Sequence, residues 1–514
     1  MRKAVVYNLV FFVFSTCFSQ EKYAESITSK DLSRHLHILA SDDFEGRETG
    51  KQGQKLAAEY IKTQFQSYGI EPIKDNSYYQ TIPLVNKYPL GSSFQANTIN
   101  YEFAEDYFFL KGFNDTLAEI SEVTFLGYGI DSEEYSDYSL CKNKGKVAII
   151  LDGEPINKKG ESYIKREDDL SKWINNWRLK QELAKENGIE VLLIVLQDFD
   201  NKVKEHKHRI NTPSMFIDNE AERKNKFIPT FYVSEKLASE LLKQNVQRIR
   251  HRINKKGKPY SFSQEVNVRI DVNRKEEKLS AENVLAYIEG SDLKDELIVI
   301  TAHYDHIGMS DGEIYNGADD DGSGTVALLE IAEAFSQAKK DGKGNRRSIL
   351  IMSVAGEEKG LLGSMYYTEN PLFSLENTLA NLNIDMIGRL DKTHENNTNY
   401  VYLIGSDKLS SELHQISENA NETFTKLELD YTFNQPDDPN RFYYRSDHYN
   451  FAKNNIPVIF YFCGVHDDYH KPTDTVDKID FEKMEKITKL VFYTAWELAN
   501  RKERIQVDVV NEFK

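Results

Sequence analysis

The feature that most constrains this 514-residue chain is a repeated texture beginning near residue 280. The runs Leu297–Thr301, Ile349–Val354, Leu379–Ile384, Tyr400–Ile404 and Ile456–Phe462 are apolar at most positions. A strand with one solvated face alternates apolar and polar residues, so near-continuous runs mark strands covered on both faces. Helical patterns follow Gly324, Leu361, Lys408 and Asp447. The last helix, Phe481 to Arg501, puts Met484, Ile487, Val491, Ala495 and Leu498 on one stripe. Strand, loop and helix in repetition predict an α/β domain with a mainly parallel mixed sheet flanked by helices.

In open α/β sheets, ligands gather beyond the carboxyl ends of the strands. His303 and Asp305 follow the first run, and Asp319, Asp320 and Asp321 stand just before a helix. Glu357 and Glu358 follow the second run, Asp385 ends the third, and His466 and His470 follow the last. Each alone is ordinary loop chemistry, and acids before a helix favour its dipole. Converging at buried strand ends they would be costly unless a cation offset their charge. Two histidines and three carboxylates exceed the three protein ligands usual for one catalytic zinc. With one bridging aspartate, each of two metals receives three ligands and can share a water or hydroxide. Imidazole with carboxylate suits zinc best, then cobalt or manganese. Of two adjacent glutamates, one that binds metal loses basicity while the other stays free as general base.

The blocks HYDH, NGADDDGSG, GEEKGLLGS, NIDMIG and DYHKPTDT resemble, in order and spacing, the metal-site blocks of the co-catalytic di-zinc exopeptidases. That family includes bacterial leucyl aminopeptidase, aminopeptidase Y and glutamate carboxypeptidase. The resemblance implies a secreted zinc aminopeptidase acting on peptides. It implies His303 and Asp385 on one zinc, Glu358 and His470 on the other, and Asp320 bridging, with Asp319 or Asp321 as alternatives for the bridge. Glu357 would be the general base, Asp305 would hold the second nitrogen of His303, and Tyr469 would help polarise the scissile carbonyl. Carboxypeptidase or dipeptidase activity, a one-zinc glutaminyl cyclase and a metal-free receptor are the competing readings. LASDDFEGRETG resembles the family's N-terminal segment, and FLGYGI with GKVAIILDGEP resembles the protease-associated domain that many members insert.

The expected organisation is a signal peptide at 1–20, an N-terminal part of the peptidase domain at 21–112, the insert at 113–272 and the zinc peptidase domain at 273–514. Arg2 and Lys3 before the apolar run from Ala4 to Phe18 read as a secretory signal too short to span a bilayer; Cys17 is a weaker lipoprotein acceptor. In the opening helices Leu32, Leu36 and Leu39 share one face, and Leu56, Tyr60, Phe65 and Tyr68 another. The insert reads as short strands, Val123–Leu126, Lys146–Leu151 and Val191–Leu196, with a helix from Ile174 to Asn187. The basic stretch Arg248–Lys258 reads as a solvated loop or hairpin. A net charge of −17 argues against nucleic acid as the main partner. Cys17, Cys141 and Cys463 offer no paired-thiolate metal site. His306 and His466 read as supporting loop residues, Ser446-Asp447-His448 as a pocket wall with Ser446 as helix cap, and Arg441 and Arg445 as exposed unless they meet a substrate carboxylate.

Overall fold

The computed structural model describes residues 20–511 apart from 74–76, 89–90, 111–114, 140–144, 165–172, 175 and 220–226. The signal-like run, Cys17 and Cys141 lie outside the described residues. The chain divides into two compact units, Met1–Leu84 with Leu279–Lys514, and Val85–Lys278.

The first unit is built on a twisted sheet. Its strands are β1 (Tyr79–Lys87), β2 (Glu276–Ile288), β3 (Leu293–His303), β4 (Arg347–Val354), β5 (Thr378–Ile384), β6 (Tyr400–Ile404), β7 (Glu428–Asp430) and β8 (Val458–Phe462). They lie in the order β7-β6-β8-β5-β3-β4-β2-β1. The centre is parallel, β4 and β5 flanking β3 and β8 beside β5. The outer pairs β2–β4 and β6–β8 are antiparallel, which makes the sheet mixed as expected. β4, β5, β6 and β8 are buried at every residue. This is the physical origin of their continuous apolar runs.

The helices are α1 (Ser29–Leu39), α2 (Gln52–Ser67), α3 (Gly324–Lys340), α4 (Leu362–Glu369), α5 (Ser411–Ala420), α6 (His448–Lys453) and α7 (Phe481–Asn500). Thr28 caps α1 by accepting from the Asp31 N–H, and Leu32, Leu36 and Leu39 are buried together. On α2 the stripe differs from expectation. Leu56 is exposed, and the buried face is Gly53, Gln54, Ala57, Ala58, Ile61 and Phe65. Small residues here let the helix lie close to its neighbours, so size rather than hydropathy marks the face. α7 buries its predicted stripe and stacks Trp496 on Phe335 of α3.

The second unit holds a sheet in the order Ile99–Tyr101, Ser92–Ala96, Ser261–Val272, Thr116–Leu126, Val147–Leu151, Val191–Leu196, Thr230–Ser234 and Tyr107–Phe108. It begins at Val85 rather than 113, because Ser92–Ala96 pairs with Ser261–Val272. Val147–Leu151 and Val191–Leu196 are fully buried and parallel, with apolar clusters on both faces. The helix near 174–187 spans Trp177–Glu186. The basic stretch is neither loop nor hairpin: Val246–Lys256 is a helix capped by Asn245 and ended by Gly257 at φ 58°. Val246, Ile249 and Ile253 are buried at helical spacing, and the bases cover the other faces.

Among the described residues, no helix is long and apolar enough to cross a membrane. Cys463 is a buried free thiol.

Candidate metal centre

The carboxyl ends of β3, β4, β5 and β8 and the start of α3 bring the expected residues together. The two carboxylate oxygens of Asp320 face different histidines. Oδ1 lies 3.2 Å from His303 Nε2, and Oδ2 lies 3.0 Å from His470 Nε2. Asp385 Oδ1 stands 3.7 Å from His303 Nε2, and Glu358 Oε2 3.3 Å from His470 Nε2. Glu357 Oε2 is 4.0 Å from His303 Nε2. Tyr469 stacks on the His470 ring at 3.8 Å between centroids.

The aspartate triplet separates by its hydrogen bonds. Asp321 is saturated by backbone: Oδ1 accepts from the Gly324 and Met386 N–H groups and Oδ2 from that of His303. A side chain at 324 would put a Cβ 2.5 Å from this carboxylate, so glycine is required there. Asp319 Oδ1 accepts from the Gly388 N–H, and Oδ2 lies 3.3 Å from His466 Nε2. Asp474 accepts from the Asp319 and Asp320 N–H groups. These bonds fix the backbone so that Asp320 alone of the three presents one oxygen to each of His303 and His470.

Two expectations are corrected. The Asp305 carboxylate does not hold His303: His303 Nδ1 bonds the Asp305 backbone carbonyl at 3.0 Å, and the carboxylate is 3.9 Å away. That carboxylate is engaged elsewhere, accepting from the Thr49 hydroxyl at 2.6 Å and the Glu357 N–H at 3.3 Å. Ser446 is not a helix cap. Asp447 precedes α6 without a capping bond, while the Ser446 hydroxyl donates to Asp385 Oδ2 at 2.7 Å and accepts from Asn383. Its place is behind a candidate ligand, where it orients the Asp385 carboxylate.

Sequence reasoning missed three supports. Arg47 is buried and donates to the carbonyls of Tyr304, Leu39, Asn316 and Gly317, tying the two loops of the site together. Thr49 holds Asp305, and Asp474 holds the triplet. Nothing in the composition of their loops distinguishes them. His306, read as a supporting loop residue, is fully buried with Nδ1 2.9 Å from Glu358 Oε1.

The electrostatics ask for positive charge. Burial opposes protonation of His303 and His470, yet the surrounding acids overcome it: His303 is raised well above its ordinary range and His470 to about 10. Burial pushes the Glu357 carboxyl well up; His303 opposes this, and Glu358 and Asp385 add to it. Burial also opposes ionisation of Asp320, but hydrogen bonds from the two histidines hold it well below the usual carboxylate range. Asp320 Oδ2 and Glu358 Oε1 are buried with imidazole nitrogens as their neighbours, His470 Nε2 at 3.0 Å and His306 Nδ1 at 2.9 Å, and His306 Nε2 is buried without a hydrogen-bond partner. Buried donors of nitrogen and oxygen facing one another fit divalent cations. Two groups lie within ligand range, His303 with Asp321 and Asp385, and His306 with Asp320 and Glu358.

A parallel-centred α/β sheet with imidazoles and carboxylates at its strand ends defines the class of the protein: a hydrolase-type fold with a candidate metal centre. Residues 283–495 match Peptidase family M28, and this region is a peptidase domain of that family. The probable leucine aminopeptidase of Arthroderma otae (strain ATCC MYA-4605 / CBS 113480) is 32% identical over 231 residues, 44% of this chain and 59% of that protein. Aminopeptidase YwaD of Bacillus subtilis (strain 168) is 25% identical over 233 residues, 44% of this chain and 46% of that protein. The match therefore spans about half to three fifths of the length of these relatives. A solved aminopeptidase from Aneurinibacillus sp. strain AM-1 aligns over 96% of this chain and 98% of its own at TM-score 0.53 and 18% identity, a likeness of fold.

Proposed function

We propose that the protein is a zinc-dependent aminopeptidase that removes residues from the N-termini of peptides with two zinc ions per chain. The observation that carries this reading is the bidentate display of Asp320 between His303 and His470. His303, Asp320 and Asp385 would hold one ion, and Asp320, Glu358 and His470 the other. The relatives named as aminopeptidases over the same region support the substrate class. The apolar run before Gln20 supports export. The unit Val85–Lys278 is read as an insert without catalytic residues, since both candidate ligand groups among the described residues lie outside it.

When bound, the zinc pair supplies Lewis acidity toward water and the scissile carbonyl. Glu357, with Oε2 4.0 Å from His303 Nε2 and outside the proposed ligand set, would stay free as general base to take a proton from water and return it to the leaving amine. Ser446 and Asn383 steady Asp385, and Thr49 steadies Asp305 beneath the Glu357 backbone. Tyr469, whose ring stacks on that of His470, would donate to the developing oxyanion; burial keeps its hydroxyl protonated. Aminoacyl-nitroanilides assayed beside N-blocked dipeptides test the reading. Cleavage of the first set alone is the expected result, and cleavage of the blocked set alone would assign the carboxypeptidase reading instead.

A further inference from the structure

The helix Val246–Lys256 of the second unit has an exposed face that peptide hydrolysis does not use. Arg248, His251, Arg252 and Lys255 recur at i, i+3, i+4 and i+7, so they share one side of the helix, and all four are exposed. Lys256 stands exposed at its edge. The buried stripe of Val246, Ile249 and Ile253 lies on the other side, within the apolar cluster of the unit. The sequence holds no acid between Glu240 and Glu265. Asp152 and Glu235 are taken by the half-buried Arg250, at 3.7 and 3.2 Å. Among the described residues no ion pair engages Arg248, Arg252, Lys255 or Lys256; Arg252 lies over the Tyr260 ring at 3.9 Å. A turn over residues 156–163 closes on the same helix. The Tyr163 hydroxyl donates to the Asn254 carbonyl at 2.9 Å, and the Ile156 N–H to Asn254 Oδ1 at 3.4 Å. This turn adds exposed Lys158 and Lys159, while its Glu161 accepts from Asn157 at 2.8 Å. Ile156 is 40% and Tyr163 38% exposed.

We propose that this face, the helix Val246–Lys256 with the turn at 156–163, docks the protein on an anionic lipid bilayer. Bases on one side of a helix meet lipid phosphates, and an aliphatic and an aromatic side chain beside them enter the headgroup level. A hydrophilic polyanion offers Ile156 no apolar phase to enter. The chain as a whole carries −17, so the face is a local reversal of sign. Screening over about 8 Å in physiological salt lets the local bases outweigh the acids further away. The contact is peripheral and electrostatic, and it weakens as salt rises.

Sedimentation of the full chain with vesicles tests this. Phosphatidylcholine vesicles carrying about 30% phosphatidylglycerol should take the wild type down at about 0.1 M salt, and pure phosphatidylcholine vesicles should not. Each Lys or Arg near an anionic surface strengthens partition roughly fivefold. The combined Arg248→Gln, Arg252→Gln, Lys255→Gln and Lys256→Gln variant should therefore bind at least about 100-fold more weakly, with circular dichroism as the check of fold. Should that variant not fold, Lys255→Gln with Lys256→Gln alone should lose about 25-fold. Ile156→Ser should weaken vesicle binding about threefold or more. Absence of wild-type binding to the anionic vesicles, equal binding to the neutral ones, or undiminished binding in a folded Gln variant overturns the proposal. Vesicle binding that Ile156→Ser leaves unchanged and that heparin matches at the same salt assigns the face to a soluble polyanion and overturns it as well.

Discussion

Arg47 offers a test of how the site is held. The side chain is 1% exposed, and it donates to Tyr304 O at 2.7 Å, Leu39 O at 2.8 Å, Asn316 O at 2.7 Å and Gly317 O at 2.9 Å. Burial lowers its pKa, and the negative field of Asp305, Asp474, Asp320 and Asp321 opposes that loss. Its own backbone sits at φ 52°, a conformation that side chains other than glycine rarely adopt, so the four bonds also hold local strain. Hydrogen bonds from a charged donor contribute roughly 1.5–3 kcal/mol each, a gross sum of about 6–12 kcal/mol for four. Water entering the gap in Arg47→Met would restore part of this for the stranded carbonyls. Breaking a buried charged network by removing one partner costs about 3–5 kcal/mol, and that is the expected loss. Arg47→Lys, with three donors on one nitrogen, should fall between. Trp496 lies in the same unit, so urea unfolding followed by its fluorescence, with Trp173 and Trp177 changed to Phe, isolates the transition. An unfolding midpoint for Arg47→Met equal to that of its parent would refute the reasoning.

Glu357→Gln should lower turnover roughly 100- to 10,000-fold while metal content stays near wild type, and Glu358→Gln should weaken one zinc; turnover and metal analysis on the same preparations check both. The buried pair His35 and Glu330, 3.6 Å apart, should give a distinct pH signature. Burial lowers His35 from 6.5 to about 4, and burial with the fields of Asp31 and Glu333 raises Glu330 from 4.5 to about 8. Between pH 4.5 and 6.5 the proton kept by Glu330 and the one given up by His35 offset each other. Above pH 6.5 Glu330 is the member of this pair that still holds a proton the unfolded chain lacks, so the pair's contribution to stability falls as pH rises to about 8. This share of the fall is ~2 kcal/mol, and denaturant titrations should show it as a steeper loss between pH 6.5 and 8 in wild type than in Glu330→Gln.

The strands of the first unit were legible because covering both faces leaves few residue types to choose from. The candidate ligand positions were legible because acids and imidazoles interrupt those runs only at their carboxyl ends. What the sequence hides is hydrogen-bond choice. Asp305 could equally well have reached His303, and only the placement of Thr49, from the loop before α2, explains why it does not. Asp319, Asp320 and Asp321 are chemically identical and are told apart by which backbone amides reach them. The helix Val246–Lys256 escaped notice because its bases outnumber the three apolar residues that it buries. The start of the second unit near Val85 was hidden because strand pairing between 92–96 and 261–272 leaves no mark in composition.

The central claim is that Asp320 joins two cation positions. Zinc titrated calorimetrically into chelator-stripped protein, with turnover followed in the same samples, tests it most directly. The account predicts two ions per chain in the wild type and weakened binding of both in Asp320→Ala, since each position loses a ligand. Saturation of the wild type at one ion per chain with full activity, or loss of only one ion in Asp320→Ala, would contradict it.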